Sequence, residues 1–168
     1  EALLLPRVYL CSPPWWDDVH PGELVVWDDG SRSRPLYHGA RKQKVPSLAS
    51  AIWRDAMAAN LRHLIAHVES RDWGNRVVGY MVNSGNSEEW FHWGTMEGYL
   101  FDYNRHAVTR FRDWLRARYR DEEALSAAWG RGVGFDDVGI PDAERRRQMD
   151  DLGLRHPVRR RDVVDHGL

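Results

Sequence analysis

Cysteine is nearly absent from this chain: Cys11 is the one cysteine in 168 residues. A single cysteine excludes an intrachain disulfide framework and a cysteine-built metal site. Its thiol is expected to face a core as a small hydrophobe. Neither sign of charge is in excess, with 24 Lys and Arg against 25 Asp and Glu. A nucleic-acid footprint needs a clustered basic surplus, so no nucleic acid is expected as a partner. Two short arginine runs, at 145–147 and 159–161, are flanked by acidic residues and read as solvated faces. No apolar run is long enough to span a bilayer, so no membrane partner is expected. No signal peptide is visible, and the chain begins without Met. Internal repeats and low-complexity segments are also missing. His63 and His67 stand four apart on one expected helix without an evident third ligand, so zinc is not expected, and no cofactor is called for.

What is abundant is tryptophan, with nine residues. The indole is large and its N–H needs a partner, so some of these rings must lie at or near the surface. Such rings serve either as core packing or as flat platforms for the C–H faces of sugars.

The chain length suits one domain with a real core. Residues 3–10, "LLLPRVYL", read as a short buried strand. The following "CSPPWWDD" must end it, because two prolines fix the backbone and remove N–H donors. Residues 17–46 form a long excursion rich in Gly, Pro, Asp and Ser, with a hairpin expected through Asp29-Gly30. Ser47 or Ser50 then opens a helix with an apolar stripe of Ile52, Trp53, Met57, Leu61, Leu64, Ile65 and Val68. A second strand is expected over 77–82, with consecutive apolar residues as in buried parallel strands. A second helix is expected over 99–119, then a short one capped by Asp121 and closed by Gly130. The tail from about 132 reads as irregular.

Strand, long loop, helix, strand, loop, helix is the order of a parallel sheet with crossover helices, an α/β class. Sites in such sheets form at the C-terminal ends of strands. Trp15-Trp16 and Glu88-Glu89 both follow such ends, on strands expected to be neighbours.

The pieces "PPWWDDVHP", "SAIWRDAMAANLRHLIAHV", "RVVGYMV" and "FRDWLRARYRDEEALSAAWG" followed by "FDDVGIP" resemble, in order and spacing, the catalytic barrel of the β-galactosidases of glycoside hydrolase family 42. The resemblance runs from about residue 3 to residue 142. It implies a fragment of a (β/α)8 TIM barrel covering about the third and fourth strand-helix units, with residues 1–168 as a partial catalytic domain. A whole barrel takes roughly 250 residues, more than this chain holds. The implied activity is retaining hydrolysis of terminal β-galactosides or related glycosides through two glutamates. Only the acid/base would lie in this chain, so the chain alone is expected to be inactive. The clan of retaining barrel glycosidases to which that family belongs normally ends its fourth strand in an Asn-Glu pair, and here Ser84-Gly85 stands at that place. The acid would therefore come later in the loop, from "GNSEEW".

A retaining glycosidase holds its two carboxyl groups about 5–5.5 Å apart. The acid must keep its proton near neutral pH, which needs an apolar or anionic neighbourhood. Glu89, beside Trp90 and near Phe91 and Trp93, meets this better than Glu88. The competing reading is that both glutamates begin a helix, where negative charge favours the N-terminal dipole. Trp15, Trp16 and Trp90 are candidates for walling a sugar subsite. Asn83 and Asn86 are candidates for binding a sugar hydroxyl, or for capping the loop. His20, before Pro21, reads as a turn residue. The implied partner is a carbohydrate substrate, the parent enzyme can be a homo-oligomer, and the implied location is cytoplasmic. A non-catalytic carbohydrate-binding or degenerate barrel piece is the alternative.

Overall fold

Two parallel strands joined by a long helix organise the first part of the chain. The computed structural model describes residues 2–36, 42–85, 90, 94 and 97–147. These fall into two compact units, residues 1–102 and 103–168.

In the first unit, β1 (Arg7–Tyr9) is followed by α1 (Pro14–Val19). Pro14 opens α1, where its missing N–H costs nothing and its fixed φ suits a first turn. A 3-10 turn at Pro21–Glu23 leads to an antiparallel pair, β2 (Arg34–Pro35) with β3 (Lys42–Gln43). The turn at Asp28-Asp29-Gly30 is present, with Gly30 at φ +78° and Trp27 N–H donating to the Ser31 carbonyl. The paired hairpin strands, however, come one step later than that turn. Arg34 ties the turn to β2: its guanidinium meets Asp28 at 3.0 Å and Asp29 at 2.9 Å, and lies over the Tyr99 ring at 4.4 Å.

Next comes α2 (Ala51–Glu69), capped by Ser50, whose Oγ accepts from the Trp53 N–H at 3.0 Å. Its buried face is narrower than the expected stripe: Trp53, Met57 and Val68 are inside, whereas Ile52 and Leu64 are exposed. After α2 the chain enters β4 (Met81–Asn83), which pairs in parallel with β1 in the register Arg7↔Met81, Val8↔Val82, Tyr9↔Asn83. The two strands are thus neighbours, as the alternation of elements requires. Both are shorter than the apolar runs suggest, with Leu4 and Val77 forming only an isolated bridge. Their flanks are also exposed rather than buried: Leu3, Leu5, Val78 and Met81 all face solvent. Two strands have two free edges and cannot bury a sheet face that needs a further layer.

Two apolar clusters hold the first unit. Val25, Trp27, Leu36 and Val45 form one, with Tyr99 and Phe101 packed against it. Both of those rings meet Trp27 edge-on, at 5.8 and 5.7 Å. This packing explains why residues 99–104 are not helical, against expectation. Trp27 draws Tyr99 and Phe101 inward at strand-like spacing, and the Leu100 carbonyl accepts from Asp28 N–H. Gly94, at φ +81°, lets the chain pass Trp27, since an added Cβ would lie 2.8 Å from the Trp27 ring. The other cluster is Trp16, Trp53 and Met57, with Leu10 and Ala56.

The second unit begins with α3 (Arg105–Arg118), capped by Asn104, whose Oδ1 accepts from His106 N–H at 2.9 Å. Then α4 (Glu122–Trp129) is capped by Asp121 and closed by Gly130 at φ +65°. Its core is Leu115, Leu125 and Val138. The expected irregular tail contains a 3-10 turn at Phe135–Asp137 and α5 (Ala143–Arg147). Arg112 donates to the Val138 carbonyl at 2.7 Å, and Arg116 pairs with Asp136, so the tail is held to α3. Of the arginine runs, Arg145 is exposed and Arg146 lies over the Tyr103 ring; positions 159–161 lie outside the described residues. Among the described residues no helix is long and apolar enough to cross a membrane.

Candidate functional site

A cavity of about 640 Å³ lies in the first unit at the C-terminal ends of β1 and β4. That is the size range of small-ligand pockets. Tyr9, Leu10, Cys11 and Ser12 come to it from the end of β1, and Ser84 and Gly85 from the end of β4. The parallel pairing is what puts these two ends side by side. They are then laced together: Ser84 Oγ donates to the Leu10 carbonyl at 2.9 Å, and Tyr9 OH to the Gly85 carbonyl at 2.9 Å. Asp17 and Asp18 of α1, residues 43–46 and Leu48, Trp53 of α2, and Trp90 complete the wall.

Trp90 has an unusual backbone for its type, with φ +61°. A bulky L-residue in the left-handed region is strained by roughly 1–2 kcal/mol. Two hydrogen bonds to β4 and the residue just after it hold it there: its backbone N–H donates to the Ser84 carbonyl at 2.9 Å, and its indole N–H to the Val82 carbonyl at 3.2 Å. Gly85 and Trp90 therefore bracket residues 86–89, and both line the cavity. Glu88, Glu89 and Asn86 themselves lie outside the described residues, as do Phe91 and Trp93.

The remaining sequence candidates separate. Trp16 is buried with Trp53 and Met57, its ring 4.4 Å from that of His20. Trp15 is exposed. Neither lines this cavity. Asn83 is buried at the end of β4; its carbonyl accepts from Leu10 N–H and its Nδ2 donates to the Met81 carbonyl. Cys11 does not enter a core: it is exposed beside the cavity, because the chain leaves β1 there and turns into the proline pair. Partial burial, reinforced by the nearby Asp17 charge, pushes its thiol pKa up, so thiolate nucleophilicity is disfavoured.

Sequence reading overlooked Asp17. It is 6% exposed, yet it is an acid lining a cavity. Ser12 Oγ donates to its Oδ1 at 2.6 Å. Burial raises its pKa, and Asp18 adds to this; Ser12 and Lys44 oppose it. Lys44, which also lines the cavity, is engaged with Asp18 at 2.6 Å. The signal available was the acid pair in "PPWWDD" so soon after a strand end. Nothing local distinguishes Asp17, which is buried, from Asp18, which is exposed. Among the described residues no group of His, Cys, Asp and Glu is arranged to hold a metal ion.

Comparison with known proteins agrees with the sequence resemblance. The curated β-galactosidase BbgII of Bifidobacterium bifidum is 28% identical over 120 residues, covering 71% of this chain and 15% of that protein. The crystal structure of a β-galactosidase from Bacillus circulans sp. alkalophilus superposes with TM-score 0.57 at 20% identity, over 80% of this chain and 18% of that one. A polyextremophilic β-galactosidase from the Antarctic haloarchaeon Halorubrum lacusprofundi gives TM-score 0.56 at 20% identity, over 83% and 20%. At that identity the superpositions speak for the fold: this mixed α/β chain matches part of those β-galactosidase structures. The chain spans about a fifth or less of the length of these relatives. The β-galactosidase family itself matches residues 9–155, most of the sequence, and the chain belongs to glycoside hydrolase family 42.

Proposed function

We propose that this chain is part of a retaining glycoside hydrolase of the β-galactosidase type, acting on terminal β-galactosides or related glycosides. The family match over residues 9–155 carries the reading. The cavity at the ends of two parallel strands supports it, because barrel enzymes work at that face. In this reading residues 1–168 are a partial barrel domain, and β1 and β4 are about the third and fourth strands.

Glu89 is the acid/base, with Glu88 as the alternative. The pair stands in sequence between Gly85 and Trp90, two residues of the cavity wall. Glu89 protonates the leaving oxygen and then activates water. The nucleophilic carboxylate comes from outside this chain, so the chain alone does not turn over a chromogenic β-galactoside.

The test is Glu89→Gln in the full-length enzyme. Loss of a general acid/base is expected to cost ~10²–10⁴-fold, less for substrates with good leaving groups, and azide should partly restore turnover of those substrates. If Glu88→Gln shows these signatures and Glu89→Gln behaves as wild type, the assignment reverses. If neither does, the pair is a helix start. One observation favours a second reading, a non-catalytic carbohydrate-binding barrel: Ser84-Gly85 occupies the place of the expected Asn-Glu pair. Full-length protein that binds galactose without hydrolysing any β-galactoside would establish it.

A further inference from the structure

The cavity contains a carboxyl group whose burial the fold does not explain. Asp17 is almost wholly buried, and its hydrogen-bond donor among the described residues is the Ser12 hydroxyl. Among the described residues no Arg or Lys is paired with it: the nearby Lys44 ammonium is held by Asp18. A buried carboxylate with one neutral donor is expensive, and a protein built for stability alone would leave this side chain in water or replace it. Close to it, Trp53 is 4% exposed and also lines the cavity. Its indole N–H is buried with no hydrogen-bond partner among the described residues. The rest of the wall supplies apolar surface from Leu10, Val45, Pro46 and Trp90.

A carboxyl group with lone pairs to spare and an apolar wall together suit a polyol ring. Its hydroxyls both donate and accept, and its C–H face is apolar. We propose that Asp17 is a sugar-binding residue of this cavity: its carboxyl group accepts a hydrogen bond from one ring hydroxyl of the substrate and so sets which epimer is held. This rests on the glycoside hydrolase reading above and assigns part of its specificity to a residue outside the acid/base loop. The elevated pKa of the carboxyl agrees with a group that is short of partners until a ligand arrives.

The test is binding of D-galactose and its monodeoxy analogues to the full-length protein by titration calorimetry, which needs no turnover. With wild type, one deoxy analogue should bind about 10–100-fold more weakly than galactose, the effect of losing a hydrogen bond to a charged group. With Asp17→Ala that ratio should collapse to about 1, while the ratios for the other deoxy positions stay as in wild type. Asp17→Asn keeps the shape and the Ser12 contact, and should give an intermediate ratio; it carries the test if the alanine variant does not fold. Discrimination that is unchanged in both variants overturns the proposal and leaves the hydrolase reading intact. Discrimination that collapses without any β-galactoside turnover by wild type supports Asp17 and overturns the hydrolase reading. A wild-type protein that binds none of these sugars overturns the assignment of Asp17.

Discussion

Ser50→Ala is expected to weaken the start of α2 and, through Trp53, the wall of the cavity. Ser50 is fully buried and works in two directions. Its Oγ accepts from the Trp53 N–H at 3.0 Å, and its hydroxyl donates to Glu23 Oε2 at 2.6 Å. Glu23 is itself 5% exposed. Loss of an N-cap costs typically ~1 kcal/mol. Loss of a hydrogen bond to a buried charged group adds about 1.5–3 kcal/mol. The expected cost is therefore on the order of 3 kcal/mol. It should appear as a fall in the urea midpoint of the full-length protein and as faster hydrogen exchange at the Trp53 amide. The two mutations should also couple: in a Glu23→Gln background the Ser50→Ala cost should shrink by about 1–2 kcal/mol, since the hydrogen bond lost is no longer to a charged group. A cost below about 0.5 kcal/mol, or strict additivity with Glu23→Gln, would refute the argument that the Glu23–Ser50–Trp53 chain anchors the helix.

Asp17→Asn is expected to leave the protein as stable as wild type or more so at neutral pH, because it removes a desolvated charge. The sign follows from the raised folded-state pKa, whose neighbours are Ser12, Lys44, Asp18 and Cys11: the native state favours the protonated form, so wild-type stability relative to Asn should fall as pH rises from the ordinary carboxylate value through the folded one. Thermal melts of both proteins at a series of pH values rising from the ordinary carboxylate pKa check this. Gly94→Ala should destabilise by about 2–4 kcal/mol, combining left-handed strain with a Cβ forced to 2.8 Å from the Trp27 ring; a denaturation curve that matches wild type would contradict the packing described. Asp29 is held down to about 2, first by the Ser31 side chain, then by the Ser31 backbone N–H and by Arg34. Its contribution to the turn should be complete above the ordinary carboxylate pKa and lost as pH falls through about 2, which a carboxyl NMR titration would follow.

Local chemistry makes several elements legible in the sequence alone. Ser50 before an apolar stripe, and Asp121 with Gly130 around "EEALSAAW", marked helices because caps and turns act within a few residues. The order of elements foretold that β1 and β4 would be parallel neighbours, because a crossover helix brings consecutive strands together. The residues of "FRDWLRARY" and its companions carried the family, which the match over 9–155 bears out.

Tertiary structure decided what depends on contacts distant in sequence. Tyr99 and Phe101 look like the start of a helix, but they pack edge-on against Trp27, more than 70 positions earlier in the chain, and α3 waits for Asn104. Trp15 and Trp16 are indistinguishable as letters. One is exposed and the other buried, because a short helix can turn only one of two adjacent side chains toward Trp53 and Met57. The same turn of α1 separates Asp17 from Asp18: both line the cavity, but the first is buried and the second is exposed and held by Lys44. Sequence placed an acid pair after a strand end; only the packing of α1 against the start of α2 determined which carboxyl is desolvated and short of partners.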